Sequence, residues 1–250
     1  VENMKTTASQ RFEVEKPVDT GHIPPGKHAA IIGKNGSGKS QQVIRLALMC
    51  EQRVVILDTK LDDDFLFLAY DSEILEVAES YKETIKALKR GVFDYLIIRP
   101  QDFELASPEA LDNYLVLLAR QKTTTIFIDE AYMFHSAAGR SGPGFTALLT
   151  RGRSRGLSLI VATQRPAWLS LFTFSEASYF YIYDLGLAKD KAKVREFVPL
   201  PKEYEYATYH YWFYDTIANA LTYMAPIKPF KRALHKKPPR KGFFNQLFGA

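Results

Sequence analysis

Gly33, Lys34, Asn35, Gly36, Ser37, Gly38, Lys39 and Ser40 satisfy the spacing G-x-x-x-x-G-K-[ST], which suits phosphate. The glycines let the backbone turn tightly enough for successive N–H groups to point at phosphate oxygens. Lys39 brings a cation within reach of the β and γ phosphates, and the Ser40 hydroxyl offers a ligand to Mg²⁺. The cradle runs on to Gln41, where a helix is expected whose positive dipole end faces the same anion. The chemistry implied is binding of ATP with Mg²⁺. A Gly/Ser-rich surface loop is the plainer alternative. The apolar run 29–32 before the loop and the helical stripe Val43, Leu46, Ala47 and Cys50 after it weigh against that alternative.

A second constellation is Thr125-Ile126-Phe127-Ile128-Asp129-Glu130, an apolar strand ending in two carboxylates. In an open α/β sheet such a strand end lies at the carboxyl edge, where ligands bind. Asp129 would hold Mg²⁺ through water, and Glu130 is the candidate general base for the attacking water. Alone the pair would read as a solvated strand end. Ala162-Thr163-Gln164-Arg165-Pro166 places Gln164 at another strand tip, where its amide could bond the γ phosphate or the lytic water. Arg151, Arg153 and Arg155 close the helix preceding that strand, near the expected nucleotide edge. They read either as solvated or helix-capping charges or as an arginine finger offered to ATP in a neighbouring subunit, Arg153 and Arg155 ahead of Arg151.

The elements that must position these residues follow from apolar periodicity. Buried strands are expected at 29–32, 54–57, 95–98, 125–128, 157–162 and 179–183, with a short strand at 11–14. Helices are expected at 40–51, at 73–90 closed by Gly91, at 109–121 capped by Ser107-Pro108, and at 188–197. A hairpin is expected from 210–215 and 221–225. Strands alternating with helices give an α/β fold with a mostly parallel sheet flanked by helices, finished by that hairpin. Residues 1–227 form one expected domain, with 1–27 as an N-terminal strand-and-turn extension, and 228–250 form a basic tail.

Composition narrows the class. With 46% hydrophobic and 24% charged residues, the chain reads as a folded protein. One cysteine, Cys50, excludes an internal disulfide or a multi-cysteine metal site, and is expected to pack as a small hydrophobe. No apolar run approaches the roughly 18 residues needed to cross a bilayer, so a soluble, intracellular protein is expected. Of the net charge of +5, residues 228–250 contribute +7, leaving −2 for the rest. That tail ends in Phe243, Phe244, Leu247 and Phe248, which suits DNA, an anionic membrane surface or a capsid partner, with a solubilising end as the alternative. The segment 135–145, with Gly139, Gly142 and Gly144, reads as a loop that offers Arg140 to DNA phosphate or as a plain flexible connection. Asp62, Asp63 and Asp64 argue against DNA there, and the aromatic stretch 204–214 suits a core or subunit interface.

Taken in order, the loop 33–40, the acids after Ile128, Arg151-Gly152-Arg153, and Thr163-Gln164-Arg165-Pro166 resemble the FtsK/HerA superfamily of ring-forming DNA-pumping ATPases. Within it, the short chain is most similar to genome-packaging ATPases of tailless viruses with an internal membrane. The resemblance implies a RecA-like (ASCE-type) P-loop core, with the Asp129–Glu130 strand separated from the phosphate-loop strand by the one ending at Gln164. It also implies a hexameric ring with double-stranded DNA in its channel, acting in host cytoplasm or at the packaging vertex of a virion. Partners at such a vertex would be capsid or internal-membrane proteins. Carried over by position, Lys39 and Ser40 contact phosphate and Mg²⁺, Asp129 and Glu130 are the metal and catalytic acids, and Gln164 is the sensor. A filamentous-phage assembly or export ATPase and a membrane-associated nucleotide switch are the competing readings. Glu130 weighs against the switch, which needs no strong base.

Overall fold

Residues 28–32 and 53–57 are nearly continuous apolar runs, and a strand of this kind is stable only when both its faces are covered. The computed structural model, which describes residues 22–228 except 62, 71, 73, 137–138 and 203–205, places both inside a sheet. In chain order the elements are β1 (His28–Ile32), α1 (Lys39–Leu48), β2 (Arg53–Leu57), a 3₁₀ stretch (Asp63–Tyr70), β3 (Leu75–Ala78), α2 (Tyr81–Arg90) and β4 (Tyr95–Ile98). They continue with α3 (Asp102–Leu105), α4 (Pro108–Leu118), β5 (Thr124–Ile128), α5 (Pro143–Arg151), β6 (Leu157–Thr163), α6 (Leu171–Ser175), β7 (Ala177–Ile182), α7 (Ala188–Arg195), β8 (Tyr211–Asp215) and β9 (Ala220–Met224).

The described strands make one sheet in the order β3-β4-β2-β5-β6-β1-β7-β8-β9. It is parallel from β3 to β7, and only β8 and β9 run antiparallel. Side chains alternate across it with period two. Ala30, Ile32, Val55 and Leu57 face one core with α2, α4, α5, α6 and α7. Ala29, Ile31, Val54 and Ile56 face the other, covered by α1 and the 3₁₀ stretch. Cys50, just beyond α1, donates its thiol to the Leu46 carbonyl at 3.1 Å, and burial pushes its pKa up to about 11. It is an inert, partly buried thiol.

Most expected elements stand within one to three residues of their places, and two readings change. The helix expected at 73–90 is a strand followed by a helix. Leu75–Ala78 pairs in parallel with β4, and Ser80 caps α2 by accepting from the Glu83 amide at 3.3 Å. A partner strand outweighs the helical period of the residues that precede the cap. Gly91 does close α2, at φ +66°. The loop 135–145 is shorter than expected: His135 bridges to Ser141, α5 starts at Pro143, and Phe145 is fully buried. Gly144 serves close packing there, since a Cβ would lie 2.6 Å from the Val116 amide nitrogen. Buried Asp112 of α4 caps α5 by accepting from Gly144 and Phe145 at 2.8 and 2.9 Å. The aromatic run is core, with Tyr211, Trp212, Phe213 and Tyr214 buried on β8. The strand expected at 11–14 and the tail 229–250 lie outside the described residues.

His28 ties three elements together. Its Nδ1 accepts from the Leu159 amide at 3.0 Å, which leaves Nε2–H to donate to the Leu149 carbonyl at 3.1 Å. Burial first, then the charges of Arg153 and Lys27, lower its pKa to about 4 against the pull of the Leu149 carbonyl. An unfolded His28 would take a proton near 6.5, so its contribution is complete above that pH and is lost as pH falls toward 4. About 1.4 kcal/mol per pKa unit makes this an effect of roughly 3 kcal/mol. Urea unfolding at pH 7 and pH 4.5 should show a steeper acid loss for the wild type than for His28→Gln. Equal losses would reject this role for His28.

Candidate functional site

Parallel register brings the ends of β1, β6, β5 and β2 to one edge, because Ile32 pairs with Thr163, Val161 with Ile128, and Ile128 with Leu57. Whatever follows each strand is therefore gathered there: the loop 33–40, Gln164, Asp129–Glu130 and Asp58–Lys60. Backbone bonds lock the four together. Gly33 donates to Thr163 O and Asp129 to Leu57 O, each at 3.1 Å, while the Gln164 amide donates to Glu130 Oε2 at 3.3 Å. Thr59 Oγ1 donates to Asp129 O at 2.7 Å. As the motif resemblance implied, β6 lies between β5 and β1.

The phosphate loop has the conformation its glycines allow. Gly36 and Gly38 sit at φ +70° and +105°, where a side chain would be strained, and α1 begins at Lys39. Gly33 is needed for space, since a Cβ there would stand 2.6 Å from both Ser37 Oγ and Tyr183 Cβ. Lys39 is buried and donates to the Lys34 carbonyl at 2.8 Å. Burial lowers its pKa to about 8, with Lys60 adding to the effect and Glu130 and Asp129 opposing it. Lys34 pairs instead with Asp184, beyond β7. Asn35, Gly36, Ser40 and Gln41 line an open cleft of about 250 Å³ beside Lys39.

Asp129 and Glu130 are almost fully buried, and Glu130 takes a left-handed backbone at φ +51°. That conformation is uncommon for a non-glycine residue, and here it turns the chain directly from the strand tip into the 3₁₀ turn Ala131–Phe134. A residue not anticipated from sequence joins them: Lys60 forms an ion pair with Glu130 and lies 3.5 Å from Asp129 Oδ2. Burial opposes the Lys60 charge, but the two carboxylates outweigh it and raise its pKa. Burial raises Asp129 to about 6, with Glu130 and Asp58 adding and Lys60 and Lys39 opposing. A signal for Lys60 was present, because Leu57-Asp58-Thr59-Lys60 follows a buried parallel strand just as Asp129-Glu130 does.

The carboxylate pair thus already holds a cation, and its oxygens with the Ser40 hydroxyl are hard donors suited to Mg²⁺. Among the described residues no group of three His, Cys, Asp or Glu side chains could cage a metal. A Mg²⁺ at Ser40 and Asp129 would complete its shell from phosphate and water.

The arginines lie elsewhere. Arg153–Arg155 precede β6, and the Arg155 carbonyl accepts from Thr123, ahead of β5. They therefore occupy the amino edge of the sheet, not the nucleotide edge expected from sequence. Seven residues of β6 separate the two edges, about 23 Å at roughly 3.3 Å per residue. Arg151, Arg153 and Arg155 are all exposed, and Arg155 donates to the Ala119 carbonyl at 2.8 Å. Arg140 is also exposed, in the bridged turn before α5.

The raised pKa of Asp129 gives the site a stability signature. In the folded protein it stays protonated up to about 6, against 3.8 when free, so its favourable contribution is present below 3.8 and lost as pH rises through 6. Asp129→Asn should melt higher than the wild type at pH 7.5, with the gain disappearing near pH 4. Lys60→Met, which strips the buried pair of its cation, should melt lower at pH 7.5. An Asp129→Asn protein no more stable than wild type at pH 7.5 would contradict this electrostatic picture.

No protein-family model matches the chain. Over 112 residues it is 35% identical to the DNA packaging ATPase P9 of Enterobacteria phage PRD1, a match covering 41% of this chain and 48% of P9. The chain therefore spans about half the length of that relative. The genome packaging NTPase B204 of Sulfolobus turreted icosahedral virus 2 superposes with a TM-score of 0.61 at 20% identity, covering 83% of this chain and all of B204. VirB4 of Thermoanaerobacter pseudethanolicus superposes at 0.58 with 11% identity, covering 81% of this chain and 90% of VirB4. B204 has also been seen in complex with ATP-gammaS. The chain is thus homologous to the packaging ATPase P9 over the aligned segment and shares the fold of B204 and VirB4, in keeping with its resemblance to the FtsK/HerA superfamily.

Proposed function

We propose that this chain is an ATP-hydrolysing motor that moves double-stranded DNA into a viral capsid. The observation that carries the reading is the placement of a phosphate loop and the buried Asp129–Glu130 pair on one sheet edge, in a homologue of a DNA packaging ATPase. Amides of residues 33–41 and the Lys39 ammonium hold the phosphates. Ser40 and Asp129 would hold Mg²⁺, which when bound draws charge from the β and γ phosphates. Glu130 orients the attacking water and takes its proton. Lys60 pairs with Glu130 and must give up part of that contact before Glu130 can accept a proton. Gln164 reaches the same water and phosphate, and its backbone bond to Glu130 fixes the base relative to the strand tip.

The arginines at the far edge cannot serve their own subunit across about 23 Å. Arg153 or Arg155, with Arg151 behind them, would act on ATP held by a neighbour, which requires a ring; a hexamer with the duplex in its channel satisfies this. Arg140 is the candidate contact to DNA phosphate. The basic segment 228–250 would meet capsid or internal-membrane proteins at the packaging vertex, placing the motor in host cytoplasm or in the virion. Among the described residues no helix is long and apolar enough to cross a membrane.

ATPase rate with and without linear duplex DNA, read beside oligomer size, tests the motor: duplex should raise the rate of an assembled ring, and an unchanged rate would count against translocation. Glu130→Gln should still bind ATP while turning over at least about 100-fold more slowly. Normal turnover would remove Glu130 as the base. Arg153→Ala and Arg155→Ala should each be tested alone and mixed with Glu130→Gln subunits. Recovery of hydrolysis on mixing an inactive arginine variant with Glu130→Gln is the expected sign of a shared site. If both arginine variants hydrolyse normally in an assembled ring, the finger lies elsewhere.

A further inference from the structure

A nucleotide whose γ phosphate lies near Glu130 and Gln164 must extend its base away from β5 and β6, toward the β7–β8 side of the loop. β8 runs antiparallel to β7 and begins at the carboxyl edge, where Ile182 pairs with Trp212. The turn leading into β8 therefore returns to that edge, and it presents Tyr209. Among the described residues it is the one aromatic side chain lining the cleft formed by Asn35, Gly36, Lys39, Ser40 and Gln41. Its ring packs on the phosphate loop: a Cβ at Gly38 would stand 3.7 Å from Tyr209 Cδ1.

Two features of Tyr209 are unexplained by folding. It is 56% exposed, although large and mostly apolar, and its backbone sits at φ +60°. Glycine or asparagine would take that conformation with less strain, so the turn itself does not call for tyrosine. The turn is nonetheless firmly held. His210 donates to the Ala207 carbonyl and the Ala207 amide to Tyr223 Oη, each at 3.0 Å, while His210 stacks on Tyr223. A strained, anchored turn that holds an aromatic face open beside a phosphate loop is suited to a flat ligand.

We propose that Tyr209 is the shelf on which the nucleobase stacks, so that the cleft takes purine nucleotides with their phosphates in the loop 33–41. The proposal rests on the nucleotide-binding part of the function proposed above and adds the base subsite to it. Stacking reads aromatic area and not edge groups. The shelf by itself therefore favours purines over pyrimidines and separates adenine from guanine weakly.

The test compares ADP with inorganic tripolyphosphate, which has phosphates and no base, by calorimetry in the presence of Mg²⁺. The full chain, Tyr209→Gly and Tyr209→Phe are measured alongside their melting temperatures. Glycine fits φ +60° without strain, so Tyr209→Gly should melt no lower than wild type and remain interpretable. It should bind ADP about tenfold more weakly and tripolyphosphate unchanged, with Tyr209→Phe within about twofold of wild type for both. Wild-type affinity for ADP in Tyr209→Gly, or equal losses for the two ligands, would overturn the shelf while leaving nucleotide binding intact. A wild-type chain that binds neither ligand would overturn both.

Discussion

Two carboxylates buried side by side are expensive unless something positive answers them, and the edge of the sheet is built around that demand. Asp129 and Glu130 are each about 1–2% exposed. They are met by Lys60 from the end of β2 and felt by Lys39 from the start of α1. Burial leaves one of the acids protonated to about pH 6 and lowers Lys39 to about 8. The site is therefore an electrostatic compromise, in which a proton and two ammonium groups balance the buried carboxylates. A site so arranged gains from binding a polyphosphate with its metal, because the ligand supplies charge that the fold has left only partly balanced.

That arrangement depends on a parallel sheet. In an antiparallel sheet, neighbouring strands would end on opposite edges and the four polar sequences after β1, β2, β5 and β6 would be scattered. Parallel pairing forces them together, and the bonds from the Gly33 amide to the Thr163 carbonyl and from the Gln164 amide to the Glu130 carboxylate fix their spacing. The same topology sends whatever precedes β6 to the other edge. The Arg153–Arg155 turn is thus carried about 23 Å from the loop of its own chain by the strand that places Gln164 beside it. Acids and phosphate loop at one edge and exposed arginines at the other are what the proposed sharing of a site between neighbouring subunits requires.

The antiparallel end of the sheet has a separate role. β8 packs Tyr211, Trp212, Phe213 and Tyr214 into both cores and brings the chain back to the nucleotide edge at Tyr209. Tyr183 sits beneath the loop, donating to Gln42 at 3.2 Å and limiting the space at Gly33. The phosphate loop is therefore supported on the side opposite the acids by aromatic packing and by the Lys34–Asp184 ion pair. This leaves its two ends chemically distinct.

The phosphate loop, the paired acids and the strand tip at Gln164 were legible in the sequence because each is local: a glycine spacing, or an uninterrupted apolar run followed by a polar residue. Parallel strands buried on both faces announce themselves in composition, so most of the sheet could be read as well. The edge strand β3 could not, because Leu75–Ala78 becomes a strand only through β4, and Ser80 starts a helix whose period blurs the boundary. Lys60 was overlooked since its position after a buried strand showed only that it could reach the same edge, and the register of β2 against β5 is what sets it beside Glu130. The arginine cluster was visible by composition, but its side of the sheet was not, for a strand's direction relative to its neighbours is decided by pairing partners distant in the chain. Sequence by itself determined which groups could do chemistry; tertiary structure decided which of them meet, because contact across a sheet depends on strand order and register.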